Sequence, residues 1–141
     1  MVGHNSQRDD YSPSDNPYKQ HRGLTRIKRA LHHSIDGLIY AFREECAFRQ
    51  EILLATLMLP WVFIVDFNAT EKLLLVGTVV IVLLTELMNS GIEAAIDRIS
   101  FDEHSLSKRA KDYGSAAVLL ALLFCGGTWL LLFFPHLKHL I

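Results

Sequence analysis

The stretch Leu73–Ile99 constrains this chain more than any other. Its first twelve residues, LLLVGTVVIVLL, are apolar, while its second half carries Glu86, Asn89, Glu93 and Asp97. Offsets of 3, 7 and 11 from Glu86 bring these four onto one stripe about 80° wide, because an α-helix turns about 100° per residue. A carboxylate near the middle of a membrane helix costs about 2.5–3.5 kcal/mol on the insertion scale, and each apolar residue returns a few tenths. The apolar half can therefore carry the acidic half into a bilayer. The acidic stripe must then face protein, water or a metal rather than lipid.

The chain has 141 residues, half of them hydrophobic, enough for one domain. A formal net charge of −1 hides strong segregation. Residues 1–51 hold eight of the fourteen Lys and Arg, and Arg98–Lys111 hold four more. These basic segments flank apolar spans, so they give no reason to expect nucleic acid as a partner. No secretory signal is expected, since the first apolar run begins at Ile52, and Met-Val-Gly is not a myristoylation signal. Cys46 and Cys125 lie in unlike surroundings, which argues against a disulfide or a thiol metal site.

Residues 1–22 are polar and aperiodic and read as a disordered leader. Leu24, Ile27, Leu31, Ile35, Leu38 and Phe42 then recur at steps of three and four, with Arg26, Lys28, Arg29, His32, His33 and Asp36 between them. This pattern predicts a basic amphipathic helix at the membrane surface over about 24–46. Ile52–Val65 alone covers only about 21 Å, short of the roughly 30 Å of hydrocarbon, and Pro60 predicts a kink. Under the positive-inside rule the basic residues before it and those of 98–111 belong on one cytoplasmic side. An even number of crossings must separate them, so the spans are expected at about 48–66 and 73–99. Ala116–Phe134 has no charge and is closed by Pro135, giving a third span at about 114–135. The expectation is an all-α membrane protein with a surface helix and three transmembrane helices, N-terminus cytoplasmic and C-terminus on the far side.

If the second span enters at Leu73, Glu86 lies about 20 Å in and Glu93 about 30 Å. A deep carboxylate and a shallow one on one helix suit a site that joins a lipid-soluble reactant to a water-soluble one. Two charged clusters share the cytoplasmic side: Glu44–Glu51 before the first span, and Asp102–Asp112 between the second and third. Carboxylates for Mg²⁺ and fixed cations for phosphate are what a metal–nucleotide site requires. Glycine-rich phosphate loops and protein-kinase motifs are absent. The same residues also suit a proton or cation pathway with Glu86 and Glu93 as a relay, and Asn89 and Ser90 suit plain interhelical hydrogen bonding.

Ala47-Phe48-Arg49-Gln50-Glu51, the Glu86–Asp97 run of form ExxNxxIExxxD, and Ala110-Lys111-Asp112 with Tyr113–Val118 together resemble prokaryotic diacylglycerol kinase from about Gly23 onward. The resemblance implies a membrane homotrimer that phosphorylates diacylglycerol with ATP and Mg²⁺ in the cytoplasmic membrane. It implies Glu86 as catalytic base and Glu45 and Glu93 as metal-holding carboxylates that also contact ATP. Further nucleotide contacts implied are Arg26, His33, Asp102, Glu103, His104, Lys111 and Asp112. Arg26, Ala47, Phe48, Arg49, Gln50, Glu51, Glu86, Asn89 and Ser115 are implied near the lipid substrate. His33 stands where well-known members have Tyr, and Glu44 stands where Asn is usual. A polyprenol kinase such as undecaprenol kinase is the near alternative within the superfamily.

Overall fold

The computed structural model describes residues 24–99 and 104–137. The leader expected over residues 1–22, together with Asp102 and Glu103, lies outside them. All regular structure described is helical: α1 (Leu24–Glu44), α2 (Cys46–Ile64), α3 (Ala69–Ile99) and α4 (Ser105–Leu137). The chain divides into two compact units, one ending at Leu38 and one running from Ile39. In the first, Leu24, Ile27, Leu31, Ile35 and Leu38 are all exposed. The Ser34 hydroxyl donates to the Ala30 carbonyl at 2.9 Å, and His32 Nε2 lies 3.5 Å from the Asp36 carboxylate.

In the second unit, α2, α3 and α4 are each long and apolar enough to cross a membrane. The nineteen residues of α2 reach about 28 Å, close to the hydrocarbon thickness. The helices differ from the expected spans at every end but Ile99; α2 stops at Ile64 rather than 66, and α3 starts at Ala69 rather than 73. α2 begins at Cys46, two residues early, because α1 stops at Glu44 and Glu45 takes an extended conformation (φ −96°, ψ 116°). α4 begins at Ser105 rather than near 114, so most of the charged Asp102–Asp112 segment is helix and not loop. His104 explains this start: its Nδ1 accepts the Leu106 N–H at 3.2 Å and its carbonyl accepts the Lys108 N–H. The Lys108–Asp112 pair, at 2.7 Å and i, i+4 spacing, supports the turns that follow. At the other end Pro135 does not close α4, which runs on to Leu137. His136 Nδ1 lies 3.0 Å from the Leu132 carbonyl, and its ring packs on Phe67 at 4.6 Å, so the final turn has partners of its own.

The core lies where α3 packs on α4 and, less extensively, on α2. Leu75, Val79 and Val82 of α3 meet Ala55 and Val62 of α2 and Ala121, Cys125 and Trp129 of α4. Alanine and cysteine at these contacts let the backbones approach, which matters where lipid gives no hydrophobic drive between helices. Two buried polar side chains of this core return to the backbone, as suits a hydrocarbon setting. Trp129 Nε1 and Thr78 Oγ1 both donate to the Leu75 carbonyl, at 3.2 and 3.0 Å. Phe133 joins Trp61, Phe67 and Trp129 in one aromatic cluster at the end of the bundle that holds the α2–α3 turn.

That turn is fixed by a reciprocal pair. Asn68 N–H donates to Glu71 Oε2 at 2.8 Å, and Glu71 N–H donates to Asn68 Oδ1 at 3.0 Å, a capping box that starts α3. Asn68→Ala is expected to lower stability by about 1 kcal/mol. Denaturant titration of the micellar protein followed by Trp fluorescence measures it.

Candidate active site

The buried stripe of α3 does not end with its apolar residues. Leu75, Val79 and Val82 are followed on the same face by Glu86, which is only 4% exposed. The next residues along this stripe, Asn89 and Glu93, are half-buried, as is Asp97. The acidic face of α3 is therefore turned toward protein. Glu45 and Glu93 both lie within electrostatic range of Glu86, and so does Glu51 of α2. Four carboxylates from two helices thus converge. Glu51 Oε2 is buried without a hydrogen-bond partner.

Each of these groups is placed by local structure. Glu45 is the residue at the α1–α2 corner, and its side chain makes no capping hydrogen bond, so the carboxylate stays available. Arg49 locks the corner: its Nη1 donates to the carbonyls of Phe42 (3.2 Å) and Arg43 (2.8 Å). These belong to the last turn of α1, where carbonyls lack helical partners and the helix dipole favours a cation. Phe48, 3% exposed, anchors the first turn of α2. Asn89 Nδ2 donates to Glu93 Oε1 at 3.0 Å, while Asn89 Oδ1 is buried without a partner. Lys111 of α4 pairs with Asp97 of α3 at 2.5 Å and ties the polar ends of the two helices.

The structure therefore brings together Glu45, Glu51, Glu86, Asn89 and Glu93, and places Asp97 with Lys111. Asp112 is engaged by Lys108, and Gln50 Nε2 lies 3.7 Å from Cys46 Sγ. Ala47, Gln50, His104 and Ser115 are exposed, and Arg26 and His33 are exposed on α1 within the first unit. Arg49, expected beside the substrate, spends its guanidinium on α1 carbonyls. Asp97 forms its ion pair with Lys111, which only helix packing brings near, and not with its chain neighbour Arg98. Gly114, a buried α4 residue set against Asn89, is a further residue of this region that sequence reasoning did not single out. The one signal for it was its place directly after Lys111-Asp112-Tyr113.

Between α2, α3 and α4 lies a half-open pocket, with about 290 Å³ of space when the solvent at its mouth is included. Its lining includes Leu54, Met58, Val79, Leu83 and Leu122, and Glu51 is its one charged side chain. Among the described residues no three His, Cys, Asp or Glu side chains form a metal-binding group. Mg²⁺ does not need such a cage, since one or two carboxylates and substrate phosphates commonly hold it. Glu45 and Glu93 match that donor chemistry.

A family profile described as prokaryotic diacylglycerol kinase matches residues 32–133. A diacylglycerol kinase of Pseudomonas aeruginosa is 44% identical over 116 residues, which is 82% of this chain and 94% of the relative. The Escherichia coli K12 diacylglycerol kinase is 44% identical over 117 residues, covering 81% and 93% of the two chains. That of Haemophilus influenzae is 42% identical over 107 residues, covering 76% and 91%.

The Asp97–Lys111 pair is part-exposed, so its contribution to stability is screened. A double-mutant cycle with Asp97→Asn and Lys111→Met is expected to give a small favourable coupling that shrinks as salt is added. Unfolding midpoints of the four proteins in one detergent measure it.

Proposed function

This chain belongs to the prokaryotic diacylglycerol kinase family, and from that membership we propose how its residues carry out the reaction. It is a membrane kinase that transfers phosphate from ATP to diacylglycerol, giving phosphatidic acid. The observation that carries the mechanism is Glu86, a carboxylate buried on the core face of an apolar helix with Glu45, Glu51 and Glu93 around it.

Diacylglycerol keeps its chains in lipid, and the apolar pocket beside Glu51 receives part of one chain. Its hydroxyl meets Glu86. The hydroxyl oxygen attacks the γ-phosphorus in line, the bond to the β,γ-bridging oxygen breaks, and ADP leaves with that oxygen. The hydroxyl proton passes to the Glu86 carboxylate, which acts as general base. Phosphoryl transfer asks the protein for positioning and charge neutralisation more than for covalent chemistry. Lys111 supplies a cation near the phosphates, and Arg26, His33, Asp102, Glu103, His104 and Asp112 complete the nucleotide contacts. Glu45 and Glu93 would hold Mg²⁺, which when bound offsets the charge of the phosphate oxygens. The donor chemistry of the two carboxylates supports this assignment.

The setting is the cytoplasmic membrane, with the N-terminus cytoplasmic and the C-terminus on the far side. The segregation of Lys and Arg supports that orientation. α1 lies along the membrane surface, its exposed apolar residues in lipid and its basic residues among headgroups. The enzyme works as a homotrimer with sites shared between protomers, since three thin spans enclose little by themselves.

Radiolabelled ATP and mixed micelles test the mechanism. Glu86→Gln is expected to lower turnover by about 10²–10⁴-fold, the range of general-base effects, while the KM for diacylglycerol changes little. Full turnover in that variant would remove Glu86 as the base. With both lipids present, diacylglycerol should be phosphorylated in preference to a polyprenol.

A further inference from the structure

We propose that Gly114 is a positioning residue for the phosphoryl-transfer site, acting through Asn89 to hold the Glu93 carboxylate in place. The inference rests on Glu93 as a metal-holding group of the kinase. Gly114 is buried in the part of α4 that meets α3. A methyl group at this position would overlap Asn89 Oδ1 and stand 3.1 Å from Asn89 Cγ, but 3.6 Å from Asn89 Cα. The backbone of α3 is thus at ordinary contact distance, and only the amide is in the way. Gly37, Gly77, Gly91, Gly126 and Gly127 have open space where a side chain would go. Gly114 alone among the described glycines is closely approached.

The orientation of the amide is set by its hydrogen bond to Glu93. Asn89 Nδ2 donates to Glu93 Oε1 at 3.0 Å, so turning the amide over would set its oxygen against a carboxylate oxygen. Oδ1 is buried with no hydrogen-bond partner. Nothing polar draws it to its place, so the hydrogen bond to Glu93 at one end and the bare α-carbon of Gly114 at the other define the side chain. The Asp97–Lys111 ion pair, one turn of α4 before Gly114, holds the two helices in the register that sets Gly114 against Asn89. A group that orients a metal-holding carboxylate commonly changes metal affinity by about 10–100-fold when lost.

Gly114→Ala therefore displaces the Asn89 amide and releases Glu93 without forcing α3 and α4 apart. The experiment uses the full chain in mixed micelles with a non-hydrolysable ATP analogue, and follows Mn²⁺ binding by electron paramagnetic resonance. Gly114→Ala and Asn89→Ala are each expected to weaken Mn²⁺ binding by about 10–100-fold. The double variant should bind no more weakly than Asn89→Ala, because Gly114 acts only through the side chain already removed. Unchanged binding in Gly114→Ala overturns the proposal, and so does a double variant that loses both effects multiplied. If Gly114→Ala fails to fold, the comparison passes to Asn89→Ala and the double variant, in which the obstructing amide is gone. Failure of the double variant to fold would show that α4 needs glycine for reasons of its own and would overturn the role. A wild-type protein that transfers no phosphate in the parallel radiolabel assay overturns the kinase mechanism instead, while the Mn²⁺ comparison decides Gly114 separately.

Discussion

One face of α3 carries two incompatible demands, and the rest of the molecule is arranged around that fact. Leu75, Val79 and Val82 need close apolar neighbours, and Glu86 on the same stripe needs shelter from lipid. A carboxylate exposed to hydrocarbon costs several times what any single leucine contributes to insertion. Packing α2 and α4 against this face meets both demands at once. The helices that build the core also wall off the acid, so a carboxylate is sheltered on a helix apolar enough to cross a membrane, without a break in the backbone.

The polar end of the bundle is built by small, local devices. Arg49 fills the carbonyl-rich end of α1, which fixes the corner that carries Glu45. The His104 cap lets α4 start early, so Lys111 rides on a helix and reaches Asp97 across the gap. Asn89 bonds Glu93 one turn along α3. None of these contacts contributes much stability by itself. Together they set where each carboxylate stands, and phosphoryl transfer depends on placement.

In the proposed mechanism, depth gives this arrangement its use. Glu51 lines an apolar pocket and lies within electrostatic range of Glu86, whereas Glu45 and Glu93 belong to the charged end of the helices. A lipid alcohol and a nucleotide differ above all in where they are soluble. A row of acids running from the bilayer interior toward water is a physical means of bringing the two to one point.

Much of this was legible in the residues alone. Apolar run lengths pointed to three helices long enough to cross a membrane, and the 3.6-residue period set Glu86, Asn89, Glu93 and Asp97 on one stripe, because both depend only on local geometry. The motifs around Glu86 and Lys111 were enough to suggest the family. Helix ends were less legible: the starts at Cys46 and Ser105 and the passage through Pro135 depend on Arg49, His104 and His136 finding partners. What tertiary structure alone decided was pairing across helices. Asp97 meets Lys111, Glu51 comes up beside Glu86, and Gly114 lies against Asn89, each between residues whose separation along the chain says nothing of their distance. Periodicity fixes the direction a side chain takes from its own helix, but what it meets there depends on how three helices settle against one another.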